Sequence, residues 1–257
     1  MNPTNIEYLT HTWNPIAMLC DPVSTGCQNC WHRTRARMLA NNPMIPAWQR
    51  RAYSGQSDPI LIKDRTNQPV ERKKPAIIGV QFMGDLWHKN IDWVMIDQVF
   101  ESCLKAPQHT YIFLTKRIEA AWHYFNSPVH PEEISGKHRS EYLLKNIWLG
   151  ITAENQKRAD ERIPVLLQIP AKVRFVSIEP ALEYVYIERY LPNHPNDIPF
   201  RLDFLNWVIW GPETGIGKRP FNPDWAKRTH SLCKEREISF FDKTKKNWIA
   251  REFPKPC

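Results

Sequence analysis

No run of apolar residues in the 257-residue chain is long enough to cross a membrane as a helix. The start, "MNPTNIEYLTHTWNP", lacks the basic, apolar and small-residue regions of a secretory signal, so a cytoplasmic protein with no membrane partner is expected. No segment repeats another. Neither a P-loop nor a dinucleotide fingerprint is present: the glycines of "GPETGIG" (Gly211 to Gly217) suit a tight strand-to-helix turn or another kind of ligand cradle. Disulfides are not expected either, because six cysteines in a reducing compartment are poor candidates for bridges, whereas clustered thiols bind metal or carry redox chemistry.

The cysteines that are present divide into two kinds. Cys103, Cys233 and Cys257 are isolated, and the first two read as packing residues on helices. Cys20, Cys27 and Cys30 form a C-x6-C-x2-C group that runs into a basic, helix-like segment. Three thiols are an odd number for a disulfide framework and one short of a closed zinc site.

A composition of 42% hydrophobic and 24% charged residues supports a substantial core. The length allows two domains, but one α/β barrel-sized domain over 1–257 fits equally well and is the expectation adopted. The 35 basic against 27 acidic residues give a net charge of +8, which favours an anionic partner such as nucleic acid or a nucleotide. Basic residues concentrate in "HRTRAR", at Arg50 and Arg51, in "ERKK" (Glu71 to Lys74) and in "KTKK" near the end, where solvated surface charge is the plainer reading.

Six short runs rich in β-branched and aromatic residues are expected as strands: 76–82, 110–115, 146–152, 173–178, 207–211 and 238–242. Their continuous apolar character suits a parallel sheet covered on both faces. Helices are expected at 91–106, 117–126, 154–168 and 222–237, with a first one after the cysteines. In 91–106 the apolar residues Trp93, Ile96, Val99, Phe100, Cys103 and Leu104 have the spacing of one buried face, and in 222–237 Asn222 is placed to cap with Pro223 at the first helical position. The alternation predicts six or seven parallel βα units forming a partial or complete barrel, with a doubly wound open sheet as the alternative. A cysteine loop (18–31), a basic loop insertion (41–75), and the polar or proline-rich stretches 127–140 and 191–200 interrupt the rhythm.

Each strand is followed by residues a core would not choose: "MGDLWH", "TKR", "TAEN", "SIEP", "GPETG" and "DKTKKNW". In parallel α/β folds such strand ends build ligand sites. Asp85, Glu154, Glu179 and Glu213 offer carboxylates there, and Lys116 and Arg117 offer cations. The set suits a zwitterionic, ribose-bearing ligand, or acid–base work on a phosphorylated sugar. Thr152 and Ser177 could instead cap helices, and Glu154 could complement a helix dipole. The thiols could hold zinc with His32 or a remote cysteine as a fourth ligand, or a four-iron four-sulfur cluster with one iron left open.

The blocks "TWNPIAMLCDPVSTGCQNCWHRTRARM", "FMGDLWH", "FLTKR", "WLGITAENQKRADERIPVLLQIPAKVRFVSIEP" and "WVIWGPETGIGKRPFNPDW" resemble the phage- and mobile-element-associated three-cysteine-motif family, over Thr12 to Trp225. That family in turn resembles radical S-adenosylmethionine enzymes, which are TIM-type partial or complete barrels. The cysteine spacing departs from their C-x3-C-x2-C, and "GPET" stands where the family has "GGES", so Pro212 removes a backbone donor. The resemblance implies a 4Fe-4S cluster on Cys20, Cys27 and Cys30, with S-adenosyl-L-methionine bound to the open iron. By barrel position it implies Gly84 and Asp85 at the methionine amino group, and Thr152 and Glu154 at the ribose. Ser177, Glu179, Gly211 and Glu213 would line the adenine and substrate side, and Lys116 and Arg117 would meet a carboxylate or phosphate. Lys116, Arg117, Glu179 and Glu213 are thus the candidate catalytic side chains. The leading expectation is a radical enzyme modifying a nucleic acid base or nucleotide, served by an electron donor and a partner protein. A zinc-stabilised nucleic-acid-binding protein without catalysis and a carboxylate-dependent barrel hydrolase are the alternatives.

Overall fold

The computed structural model describes residues 1–128, 139–143, 146–193, 204–215, 217–244 and 249–254. Most of 127–140 and 191–200, the second half of "DKTKKNW", Ile216 and Cys257 lie outside the described residues. The protein is α/β, with a mostly parallel eight-stranded sheet and a separate two-stranded one. Its chain divides into two compact units, Met1–Ile147 and Trp148–Cys257.

In the first unit the elements run β1 (Asn2–Pro3), β2 (His11–Trp13), β3 (Ile16–Ala17), α1 (Trp31–Ala40), α2 (Ala47–Ser54), β4 (Ile60–Leu61), α3 (Lys63–Thr66), α4 (Gln68–Glu71), β5 (Ile77–Val80), α5 (Trp93–Leu104), β6 (Thr110–Thr115) and α6 (Ile118–Phe125). Strands pair in the order β1-β2-β5-β6, with only β1 antiparallel, while β3 and β4 pair apart. The register sets Trp13 beside Val80 and Val80 beside Phe113, so β2 and β5 end level and β6 runs two residues further, to Thr115. Asp92 caps α5 by accepting the Val94 N–H at 3.1 Å. The inward face of α5 carries Ile96, Val99, Phe100 and Cys103, with Phe100 stacked on Phe113 at 4.8 Å. Trp93, expected on that face, is exposed at the first turn.

Asp97, also buried on α5, accepts Arg139 Nε at 2.8 Å and Nη2 at 2.7 Å, and the Tyr124 hydroxyl at 2.7 Å. This buried fork ties residue 139 to α5 and α6. Neutralising one charge with the other is what lets both leave water.

The second unit contains β7 (Ile147–Thr152, its first residue at the boundary), α7 (Gln156–Leu167), β8 (Val173–Ile178), β9 (Trp207–Trp210), α8 (Pro223–Glu235) and β10 (Ser239–Asp242). These four strands pair in that order, all parallel. Trp207 sits among Phe175, Phe241 and Phe253, with ring centroids 5.4 to 6.1 Å away. Opposite Phe175 in the β7 ladder stands Gly150, where a Cβ would come 2.3 Å from the ring, so only glycine admits it. Helix α8 starts as expected, Asn222 accepting the Asp224 N–H at 2.9 Å with Pro223 next to it.

All six expected strands and all five helices are present, the ends shifted by a residue or two. The stretch 41–75, expected as a loop insertion, instead holds α2, β4, α3 and α4. Pro46 precedes α2, and Gly55, at φ +76°, closes it in the left-handed conformation. Its Ala52 and Tyr53 bury against Ala17 and Ile62. An eight-residue helix between prolines shows too little periodicity to be read from sequence. The strand ladder of the described residues gives β1 and β10 one neighbour each, so it does not by itself display a closed barrel.

Candidate functional site

In the first unit the strand ends assemble a polar cluster. The chain leaves β2 and β3 toward Cys20, leaves β5 toward Gly84 and Asp85, and leaves β6 into Lys116 and Arg117. Asp85 is buried and fully engaged. Its Oδ1 accepts the Thr115 hydroxyl at 2.7 Å and the Trp87 N–H at 3.2 Å. Its Oδ2 accepts the Lys116 N–H at 3.0 Å and Arg117 Nη1 at 3.2 Å. The carboxylate therefore locks the β5 and β6 ends together and aims the guanidinium.

Arg117 carries this order to the cysteine loop. Nη1 also donates to Cys20 Sγ at 3.5 Å, while Nη2 donates to the Asp21 carbonyl at 3.0 Å and to Asp21 Oδ1 at 3.1 Å. The same Oδ1 takes His88 Nε2, and Lys89 Nζ stands 3.5 Å from Oδ2. His88 Nδ1 accepts the Asn90 N–H at 3.2 Å, so the ring proton belongs on Nε2, facing Asp21. Burial works against the Asp21 carboxylate, yet the bonds from His88 and its own backbone and the charge of Arg117 hold it below the usual carboxylate range. Burial pushes the Cys20 thiol up to about 11, against the pull of Arg117. From the other side, the Cys20 N–H donates to His32 Nε2 at 3.1 Å. Burial, then the charge of Arg33, pushes that imidazole down to about 4, so His32 is a neutral acceptor that anchors the loop.

Gly84 belongs to the same construction. At φ +134° it adopts a backbone few side chains tolerate, and a Cβ would fall 2.4 Å from Met18 Sδ. Cys27 ends a short 3-10 turn, its N–H on the Ser24 carbonyl at 3.0 Å and its Sγ 3.9 Å from Ser24 Oγ. Cys30 is the residue before α1, and its N–H reaches the Cys27 carbonyl at 3.3 Å. All three thiols are half-buried and unbridged. Among the described residues, no three His, Cys, Asp or Glu side chains stand gathered around a common metal position. The donor set suits a metal cluster in kind: three thiols on eleven residues, outside the core, with a fixed cation against the first.

The second unit has its own strand-end set. Glu154, fully buried, accepts Arg162 Nη1 at 3.1 Å, and the same nitrogen donates to the Thr152 carbonyl at 2.6 Å. Glu213 takes the Arg219 N–H and Nε, each at 2.9 Å. Glu179 pairs with Lys243, and a Cβ on Gly211 would stand 3.1 Å from Lys243 Cβ and 3.5 Å from Glu179 Cδ. The helix cap that Thr152 could have supplied comes from Asn155, which accepts the Arg158 N–H at 3.0 Å. Ser177 Oγ is buried with no hydrogen-bond partner among the described residues.

The structure thus unites Cys20, Asp85 and Arg117 in one unit, and Glu179 with Gly211 in the other. Asp21, His88, Arg162, Arg219 and Lys243 were not singled out from sequence. The signal for Arg219 was within reach, six residues past Glu213 in the sequence. Lys243 pairs with Glu179 across 64 positions and gave no local sign.

These features define a mostly parallel α/β protein whose strand ends anchor a loop of free thiols. The chain belongs to the family described as "Protein of unknown function (DUF5131)", whose profile matches residues 3–255. No curated protein and no solved structure matches it. No helix among the described residues is long and apolar enough to cross a membrane.

Proposed function

We propose that this protein is a radical S-adenosylmethionine-type iron–sulfur enzyme, with a partial barrel as its architecture and a nucleic acid base or nucleotide as its substrate. The observation that carries the reading is the seating of the thiol loop: Arg117, aimed by Asp85, holds Cys20 and Asp21 at the ends of parallel strands. Cys20, Cys27 and Cys30 would hold a four-iron four-sulfur cluster. Such a cluster, when bound, supplies an electron and keeps one iron open for the amino and carboxylate groups of S-adenosylmethionine.

The residues of the chain have separate tasks. Arg117 puts positive charge beside the first thiol, which favours gathering anionic sulfur there. Asp85 keeps that guanidinium and the Lys116 amide in place rather than meeting a ligand itself. His32 and Asp21 fix the loop backbone on either side of Cys20. In the second unit, Lys243 and Arg219, positioned by Glu179 and Glu213, are cations suited to a phosphate or carboxylate. Ser177 Oγ offers a dry hydroxyl for a ligand hydrogen bond. A net charge of +8 supports the anionic substrate class.

The test is anaerobic incubation of the reconstituted protein with S-adenosylmethionine and dithionite. The expected result is formation of 5′-deoxyadenosine, abolished by Cys27→Ala. Its absence from protein that carries a full cluster contradicts the radical chemistry.

A further inference from the structure

We infer that the α1–α2 helical hairpin is a binding surface for single-stranded nucleic acid. The thirty-six residues between Asp21 and Asp58 contain no Asp or Glu and no Lys, but five Arg: Arg33, Arg35, Arg37, Arg50 and Arg51. A charge run that merely kept a surface solvated would mix signs and use lysine as readily. Arginine alone suits phosphate, which its planar fork binds bidentately, and bases, on which it stacks.

The apolar side chains of the same segment are placed as a core would not place them. Of nine large hydrophobic residues exposed among the described residues, four lie here: Trp31 at 52%, Met38 at 58%, Met44 at 88% and Trp48 at 43%. The inward faces are already filled, α1 burying His32 and Ala36, and α2 burying Gln49, Ala52 and Tyr53. On α1, Trp31, Thr34, Arg35 and Met38 recur at i, i+3, i+4 and i+7, one exposed stripe of alternating aromatic, cationic and polarizable character. On α2, Trp48 and Arg51 repeat the pairing one turn apart. Arg33, Arg35, Arg37 and Arg51 are exposed, and no ion pair among the described residues engages them.

Exposed indoles beside unpaired guanidinium groups are what a single strand needs, bases stacking while phosphates are neutralised. In a duplex the base faces are stacked away and the indoles would find no partner. The surface follows the cysteine loop directly, Trp31 adjoining Cys30, so a strand held here lies next to that loop in the chain. The choice of substrate rests on the function proposed above, but the binding itself does not.

The test is fluorescence anisotropy of the full-length protein with a labelled 20-nucleotide single strand, as DNA and as RNA, against the matching duplex over a range of salt. The single strand is expected to bind more tightly, with strong salt dependence. Arg33→Gln/Arg35→Gln/Arg37→Gln should lower the slope of log affinity against log salt by up to about 2. Trp48→Ala, away from the cysteines, should weaken binding on the order of tenfold or more, and Trp31→Ala likewise. Lys227→Gln/Lys234→Gln on α8 should bind like the parent. Equal loss in that control, equal affinity for the duplex, or no binding at low salt overturns the proposal, the last leaving the exposed apolar residues to a protein partner. Iron content measured on the same variants separates the questions: binding without iron defeats the enzyme reading alone, and iron without binding defeats this one alone.

Discussion

Gly84→Ala tests whether the β5 end really supports the cysteine loop. The added Cβ would stand 2.4 Å from Met18 Sδ and 2.9 Å from its Cγ, where ordinary contact needs about 3.5 to 4.0 Å. Met18 is fully buried, two residues before Cys20, so it has no solvent side to swing toward. Overpacking of this kind costs about 1–3 kcal/mol. The backbone at φ +134° adds about 1–3 kcal/mol for a residue with a side chain. Together they predict a loss of about 2–6 kcal/mol. Met18→Ala should itself cost about 2–5 kcal/mol as a cavity. It also removes the atoms the new methyl strikes, so in that background Gly84→Ala should cost only the backbone part, and the pair should couple favourably by about 1–3 kcal/mol. Urea unfolding of the four proteins, followed by far-ultraviolet circular dichroism, measures the cycle. Additivity within about 0.5 kcal/mol would refute the contact.

Asp97→Asn leaves the Arg139 guanidinium buried without its counter-charge and should cost about 3–5 kcal/mol in urea unfolding; a loss under about 1 kcal/mol would show that the fork is not desolvated. Gly150→Ala drives a methyl into the Phe175 ring and should cost about 1–3 kcal/mol, with Phe175→Leu recovering part of it, and independent effects would contradict the close approach. Ser177→Ala removes a buried hydroxyl that has no partner, so the ligand-free protein should be unchanged or more stable by about 1 kcal/mol; destabilisation beyond that would mean the hydroxyl is satisfied.

The strands of the main sheet from β5 onward were legible because each is a short, continuous apolar run followed by polar residues, the mark of a buried parallel strand. Strands β1 to β4, two or three residues each, are set by pairing with distant chain and carry no period of their own. The site shows the same division. Cys20, Cys27, Cys30 and the strand-end carboxylates stood out as residue types misplaced for a core. What those carboxylates bind did not, since Asp85 meets Arg117 across 32 positions and Glu179 meets Lys243 across 64. Sequence suggested carboxylates waiting for a ligand. The structure gives each a cation of its own chain: Arg117 for Asp85, Arg162 for Glu154, Lys243 for Glu179 and Arg219 for Glu213.

The central claim proposed above is that Cys20, seated by Arg117, holds an iron–sulfur cluster together with Cys27 and Cys30. Its most direct test is metal and sulfide analysis of protein purified and reconstituted without oxygen, with an electron paramagnetic resonance spectrum of the reduced sample before and after S-adenosylmethionine. About four iron and four sulfide per chain are expected, with a spectrum that shifts on adding S-adenosylmethionine and is lost in Cys27→Ala. Stoichiometric zinc without iron, or a full cluster in Cys27→Ala, would contradict the account.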